Sequence, residues 1–132
     1  MLYTDTLRTD RDFRLCYHKG QCIVSKDVII YARRNKLGIV RLGITTGKKV
    51  GNAVARSRCR RLIRQAWREN EADAPVGLDI VIVARAHLKE VSSDVLSRYL
   101  HQYGVPALHK ISAGETLPKP PQRPAKAGKG EA

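Results

Sequence analysis

Apolar residues recur along part of the chain in the pattern of β-strands. Residues 23–33 and 37–46 are rich in β-branched side chains and predict two strands. Residues 78–85 are almost continuously apolar, which predicts a strand buried on both faces. Two glycines in the second run, Gly38 and Gly43, indicate a bulge or a place where another group approaches the backbone closely.

Three other segments space their apolar residues three and four apart, which is the helical period. They predict helices over about residues 9–20, 52–71 and 91–103. Gly104 followed by Pro106 predicts the end of the last helix, since neither residue favours its continuation. The order of helix, two strands, helix, strand and helix predicts a two-layer α+β sandwich.

The end of the chain differs in kind from the rest. Residues 118–132 contain four prolines, two glycines and no large apolar side chain, so they cannot bury enough surface to offset the entropy of ordering. We therefore predict a folded domain over residues 1–112 and a disordered Pro/Lys-rich tail over residues 113–132. A solvated tail is the simpler interpretation of this segment, and loose attachment to a polyanion is the alternative.

Charge narrows the classes of partner. The chain has 25 Lys and Arg against 12 Asp and Glu, a formal charge of +13, which favours nucleic acid or an anionic membrane surface as partner. No apolar run is long enough to span a membrane, and the first residues do not resemble a signal peptide. Three cysteines without CxxC spacing predict neither a disulfide framework nor a zinc site, so we expect a cytoplasmic protein.

The most informative segment is the basic helix. Residues 48–68 carry eight cations and no carboxylate. On a helical wheel, Ala55, Cys59, Leu62, Ile63 and Ala66 form an apolar stripe, Arg56, Arg60, Arg64 and Arg68 form a ridge, and Arg58 and Arg61 widen the basic face. Like-charge pairs three and four residues apart oppose the isolated helix by about 1–2.5 kcal/mol in total. A solvated face would intersperse acids, so the pattern favours a face that binds a polyanion.

Two features indicate which kind of polyanion this face binds. Arginine forks suit phosphate and stack on bases, and Asn52 at the helix start, beside Lys48 and Lys49, suits a phosphate group. A lipid surface is the weaker alternative, because Trp67 is the only large apolar anchor at the border of the basic face, and packing at the core edge explains it more simply.

The basic helix carries a specific motif. It begins with Lys-Lys-Val-Gly at 48–51, continues with the triplet Arg56-Ser57-Arg58, and ends with a basic pair followed by Leu-Ile-Arg at 60–64. This pattern resembles the signature helix of the protein subunit of bacterial ribonuclease P. The chain departs from the family at Ser57, usually Asn, and at Cys59, usually aliphatic. The resemblance covers about residues 7–100 and includes Asp12-Phe13, Tyr17, Gly20, Tyr31, Leu42-Gly43-Ile44 and Asp79-Ile80-Val81.

The resemblance implies a fold and two RNA-binding surfaces. The fold would be a sandwich like that of domain 2 of ribosomal protein S5, with a four-stranded sheet, three helices and a left-handed βαβ crossover. The catalytic RNA subunit would be bound by Lys48, Lys49, Asn52, Arg56, Ser57, Arg58, Arg60, Arg61, Arg64 and Arg68. The 5′ leader of precursor tRNA would lie in a cleft lined by Phe13, Tyr17 and Tyr31, although ordinary core packing is an alternative for these three residues.

The sequence offers no catalytic centre of its own. The four histidines lie beside no conspicuous acidic motif, no carboxylate pair flanks the basic segment, and Cys59 lies on the apolar side of the helix. We therefore expect a non-catalytic protein. Together with the resemblance, this implies an accessory subunit that assists endonucleolytic leader removal, with Mg²⁺ held mainly by RNA and no obligate protein partner. A structural RNA-binding protein of ribosomal type and an independent nuclease are the alternatives.

Overall fold

A five-stranded mixed sheet organises the chain. The protein was analysed as a computed structural model that describes residues 4–117. Its elements, in chain order, are β1 (Thr4–Thr6), α1 (Asp10–Lys19), β2 (Gln21–Val24), β3 (Val28–Arg34), β4 (Val40–Thr46), α2 (Ala53–Asn70), β5 (Leu78–Ala84), α3 (Ser93–Tyr99) and α4 (Val105–Ser112). A π-helical turn at Leu100–Gly104 joins α3 to α4, so these two form one C-terminal helix.

The strands lie in the order β1-β4-β5-β3-β2. Strands β4 and β5 are parallel neighbours, and the chain passes from one to the other through α2, which is the predicted βαβ crossover. The left-handed sense of that crossover stays a prediction. Strand β3 runs antiparallel to β5, and β2 forms a hairpin with β3. The predicted α+β class is confirmed.

The predicted four-stranded sheet is wrong, because β1 is a fifth strand that pairs in parallel with β4. Its residues are polar and carry no apolar alternation, so its sequence gives no strand pattern. Tertiary contacts hold it instead: Trp67 Nε1 donates to Thr4 Oγ1 over 2.9 Å, and the amide of Leu7 donates to the Leu42 carbonyl over 3.0 Å. The predicted single strand over 23–33 is also wrong, since Ser25 starts a turn that divides it into β2 and β3.

The core has two parts, one on each face of the sheet. Alternate residues of the central strands, such as Ile30 and Ile82, pack against α2 and the C-terminal helix. The intervening residues, such as Ile29 and Val83, pack against α1 together with Cys16. Every residue of β5 is buried, as its apolar run predicts. Since burial on both faces requires a layer on each side, the predicted two-layer arrangement is corrected to a sheet with helices on both faces.

The C-terminal helix does not end where the sequence predicts. It continues through the π-helical turn to Ser112, with Pro106 directly after that turn, where the regular hydrogen-bond pattern of the helix is already interrupted. Gly104 is buried at this turn, and a side chain there would lie 3.0 Å from Leu100 Cδ2. Val95, placed by the helical period on the apolar side, is exposed.

The residues after α4 fold back onto β2. The Gln21 side chain donates to the Glu115 carbonyl over 2.9 Å and accepts a hydrogen bond from the Leu117 amide. Residues 113–117, which the sequence assigns to the tail, therefore contact the sheet. The rest of the predicted tail, 118–132, lies outside the described residues, and the domain boundary stays a prediction.

Candidate nucleic-acid interface

The start of α2 is built as the sequence predicts. Asn52 Oδ1 accepts a hydrogen bond from the Ala55 amide over 2.9 Å, which caps the helix. A single 3₁₀ turn precedes it, in which Val50 is fully buried while Lys48 and Lys49 are exposed. Val50 thus anchors the turn to the core, and the two lysines stand in solvent beside the free amides of the helix start.

The apolar stripe of α2 faces the core. Cys59, Leu62, Ile63 and Ala66 are buried, which confirms the helical register. Trp67 is buried too, at 1% exposure, so it is a core residue and not a surface anchor. Thr4 Oγ1 accepts from its indole and donates to Glu71 Oε2 over 2.6 Å, which links β1 to the end of α2.

The opposite side of α2 carries the six arginines. Arg58, Arg61, Arg64 and Arg68 are exposed and Arg56, Ser57 and Arg60 are half-buried. Within residues 4–117, no carboxylate lies at ion-pair distance from any of these arginines. We call Arg56, Arg60, Arg64 and Arg68 the basic ridge. Their charge is not neutralised by the described part of the protein.

Two arginines are held in place by neutral groups. Arg60 Nη1 donates to Thr46 Oγ1 at the end of β4 over 2.9 Å. Arg58, on the other flank of α2, donates to the carbonyls of Lys89 and Val91 over 2.7 and 3.4 Å. These bonds orient each guanidinium while leaving its charge uncompensated.

A groove runs between α1 and β4 and meets the basic ridge. We call it the α1–β4 groove; its lining is Asp10, Phe13, Arg14, Tyr17, Ile44, Thr45, Thr46 and Arg60. Tyr17 and Thr45 share a hydrogen bond of 3.1 Å between their hydroxyl oxygens. Burial raises the pKa of Tyr17, so its hydroxyl stays neutral and available as a donor or acceptor. The groove therefore combines aromatic surface, hydroxyl groups and an arginine.

Phe13 lies directly over Gly43 of β4. A methyl group at Gly43 would lie 2.4 Å from Phe13 Cζ, so only glycine permits this approach, and the predicted close contact at Gly43 is confirmed. Phe13 is half-buried and lines both the α1–β4 groove and an adjoining recess edged by Arg64 and Arg68. The ring thus belongs partly to the core and partly to the groove.

The third predicted aromatic, Tyr31, sits deeper. Its ring meets that of Tyr17 edge to face, with centroids 4.9 Å apart and planes at 84°. Tyr31 is half-buried on the face of the sheet that α1 covers and supports Tyr17 from below. Its direct contact with a ligand stays a prediction.

Sequence reasoning missed several polar groups near the groove. Thr45, Thr46 and Arg14 flank the predicted aromatics, and no local pattern marked these three as groove residues. Under α1, Arg41 binds both oxygens of the fully buried Asp79 at 2.7 and 2.8 Å. Burial acts to raise the pKa of Asp79, but hydrogen bonds from Arg41 and Asn35 hold it below the ordinary value.

Residues 4–117 contain no group of three or more His, Cys, Asp or Glu side chains that could hold a metal ion. Burial raises the pKa of Cys16 to about 11 and also raises that of Cys59, so both thiols stay protonated at neutral pH. None of the helices in this part of the chain has the length and apolarity needed to cross a bilayer.

Comparison with known proteins places this geometry in a family. The family model described as Ribonuclease P matches residues 1–105. The chain belongs to the ribonuclease P protein family. The ribonuclease P protein component of Lachnoclostridium phytofermentans is 41% identical over 109 residues, covering 82% of this chain and 91% of that protein. That of Alkaliphilus metalliredigens is 40% identical over 102 residues, covering 76% and 92%.

Solved structures of the family share the fold. The ribonuclease P protein of Staphylococcus aureus superposes with a TM-score of 0.67 at 28% identity, covering 83% of this chain and 94% of that one. That of Thermotoga maritima gives 0.66 at 31% identity, covering 74% and 92%. Family membership gives the chain a role in tRNA processing as the protein component of a ribonucleoprotein, with the ribonuclease P RNA as partner.

Proposed function

We propose that the chain binds the catalytic RNA through α2 and the 5′ leader of precursor tRNA in the α1–β4 groove. It thereby assists endonucleolytic removal of the leader, which gives the mature 5′ end. The observation that carries the proposal is the basic ridge, whose charge no described carboxylate neutralises and which borders an aromatic groove.

The ridge supports docking onto a folded RNA. Four arginines stacked on one side of a helix repel one another, and phosphates relieve that repulsion. Guanidinium forks bind phosphate oxygens in pairs, and Lys48 and Lys49 extend the surface past the capped start of α2. Because α2 packs on the sheet through its buried stripe, it presents these groups from a rigid support.

The groove supports binding of a single strand. Stacking of a base on an aromatic ring is worth about 1–3 kcal/mol and tolerates any sequence, which suits leaders that differ among tRNA genes. Tyr17 offers its hydroxyl and part of its ring, and Arg60 stands between groove and ridge. A leader in the groove would thus lie against the RNA docked on α2.

The protein's part in this proposal is positioning. Arg60, Arg64 and the lysines fix the catalytic RNA, and the groove holds the leader beside it, so the scissile bond is presented in one orientation. The RNA subunit would carry out the hydrolysis, with Mg²⁺ held mainly by RNA. The protein would then bind the two RNAs and neutralise part of their phosphate charge.

Reconstitution with the catalytic RNA tests the docking face. The wild-type protein should stimulate leader removal at low Mg²⁺, whereas protein freed of RNA should not cleave. Arg64→Ala should weaken binding of the catalytic RNA and reduce the slope of log K against log salt by up to about one unit. Arg98→Ala, at an exposed arginine of α3, is the matched control. A slope unchanged by Arg64→Ala would show that this side chain meets no phosphate.

Substrate pairs test the groove. Tyr17→Ala and Tyr31→Ala should leave binding of the catalytic RNA intact and weaken the holoenzyme's affinity for precursor tRNA relative to mature tRNA. The control is Tyr103→Ala, because Tyr103 is an exposed tyrosine on the C-terminal helix. If affinity for precursor tRNA and for mature tRNA falls equally, the groove does not bind the leader.

A further inference from the structure

A second basic pocket lies across the sheet from the α1–β4 groove. It forms where the end of α1 and the end of β3 meet the residues after α4, and it contains Lys19, Arg33, Arg34 and Lys36 together with Gly114. None of the described residues that line it is a carboxylate. We call it the β3 pocket. The strand order places β3 two positions from β4, on the side away from β1.

The fold forces these cations together. Gly20 ends α1 so close to β3 that a methyl group there would lie 2.8 Å from the Ala32 carbonyl oxygen, so Lys19 arrives beside Arg33. The side chains of Lys19, Arg34 and Lys36 are exposed. Their mutual repulsion is therefore built into the packing of α1 on the sheet, and it opposes folding unless an anion compensates it.

Within the part of the chain that the structure describes, Arg33 has only a shared and distant carboxylate partner. Its Nη2 reaches Asp79 at 3.5 Å, whereas Arg41 already binds both oxygens of that carboxylate at 2.7 and 2.8 Å. One carboxylate thus faces two guanidinium groups, although Arg41 also lies 3.4 Å from Asp12. Arg33 Nε is buried without a hydrogen-bond partner, although a buried donor is normally satisfied. Arg33 is therefore left with an unused donor.

The chain's own end is a poor counter-ion for this pocket. Residues 118–132 carry four cations against one carboxylate, so their net charge repels the pocket. A compensating anion would therefore come from another molecule. As a component of a ribonucleoprotein, the chain works beside an RNA, whose backbone offers phosphates that suit an arginine fork.

We propose that the β3 pocket is a second RNA-phosphate site, separate from the basic ridge. It takes one or two backbone phosphates between Arg33, Arg34 and Lys36, and it reads no base. The inference rests on the proposed function only in taking RNA as the partner. Because the ridge lies on α2 and the pocket at the end of β3, and the two share no residue, their contributions to binding should be independent.

Salt titrations with the full chain test this site. The double variant Arg34→Gln with Lys36→Gln changes exposed side chains and relieves their repulsion, so it should unfold at the same denaturant concentration as the wild type or at a higher one. The slope of log K against log salt should fall by about 0.7 for each phosphate that the variant no longer binds, up to about 1.4. Lys26→Gln with Arg98→Gln removes the same charge at exposed positions outside both sites and is the control.

Two RNAs distinguish the source of the phosphate. Binding of the catalytic RNA by the protein and binding of precursor tRNA by the holoenzyme are titrated separately, and the RNA whose slope falls is the occupant. Combination with Arg64→Ala should give additive slope changes for the catalytic RNA if both sites hold it. Slopes that match the control for both RNAs would overturn the inference while leaving the ridge proposal intact. Conversely, if the slope falls in the Arg34→Gln, Lys36→Gln variant but not in Arg64→Ala, the proposal for the ridge is wrong and the proposal for the β3 pocket stands.

Discussion

Replacing Gly43 with alanine would place a methyl carbon 2.4 Å from Phe13 Cζ and 2.6 Å from Cε1. Carbon atoms in contact normally lie about 3.5–4.0 Å apart, so the ring must move by more than about 1 Å. Leu7 Cβ would lie 3.4 Å from the same methyl carbon, which is an ordinary contact, so the clash is with the ring. Because Phe13 lines the α1–β4 groove, we expect Gly43→Ala to displace a ring that forms part of the wall of that groove.

The expected cost is that of an overpacked site, about 1–3 kcal/mol in the free energy of unfolding. Urea denaturation measures it, and the matched background is Phe13→Ala, in which the clashing ring is absent. The alanine at 43 should then cost little, giving a coupling energy of about 1–3 kcal/mol between the two positions. In the reconstituted enzyme, Gly43→Ala should weaken binding of precursor tRNA more than binding of mature tRNA.

Additivity would refute this reasoning. If Gly43→Ala and Phe13→Ala sum to within about 0.5 kcal/mol in the double variant, the ring does not restrict position 43. If stability shows the coupling but both tRNAs bind as before, Phe13 fills the core at this point without shaping the leader groove.

Other predictions concern the buried contacts that hold the sheet together. Asp79→Asn should lower the free energy of unfolding by about 3–5 kcal/mol at neutral pH, because it removes the buried carboxylate that Arg41 and Arg33 share. The pKa of Asp79 lies below its ordinary value, so the carboxylate contributes its full stabilisation above the ordinary pKa and loses it as the pH falls through the lowered pKa. The difference in free energy of unfolding between wild type and variant, measured by urea denaturation, should therefore shrink towards acid pH. A constant difference would contradict the assignment. Trp67→Phe removes the donor to Thr4, so it should lower the free energy of unfolding by about 1 kcal/mol. It should also speed hydrogen exchange of the Leu7 amide, which pairs β1 with β4. Unchanged exchange would show that the indole does not hold this strand.

The sequence predicted α2 well, because each of its features is local. Its stripe depends only on spacing along one helix, and Asn52 caps an amide three residues away. The close approach at Gly43 was foreseen as a contact, although its partner was not. The uncompensated charge of the arginines also follows from composition, since the segment contains no acid to pair with them.

What the sequence failed to predict depends on contacts between distant residues. Strand β1 has no apolar pattern and exists because Trp67, 63 residues away, binds Thr4. The pairing of Arg41 with Asp79 joins two strands 38 residues apart, and nothing near either residue signals it. For the α1–β4 groove, the aromatics of α1 could be proposed from the family pattern, whereas the bond of Thr46 to Arg60 depends on the packing of α2 on β4.

The π-helical turn at Leu100–Gly104 fits one more residue into the C-terminal helix than regular α-helical winding would. Each residue of an α-helix advances its face by about 100°, so the extra one resets the phase of everything that follows. Leu108 and Ile111 owe their buried positions to this offset. Shortening the turn by one residue would rotate both side chains away from the sheet. A single-residue insertion or deletion here would therefore remove the buried contacts of the second half of the helix.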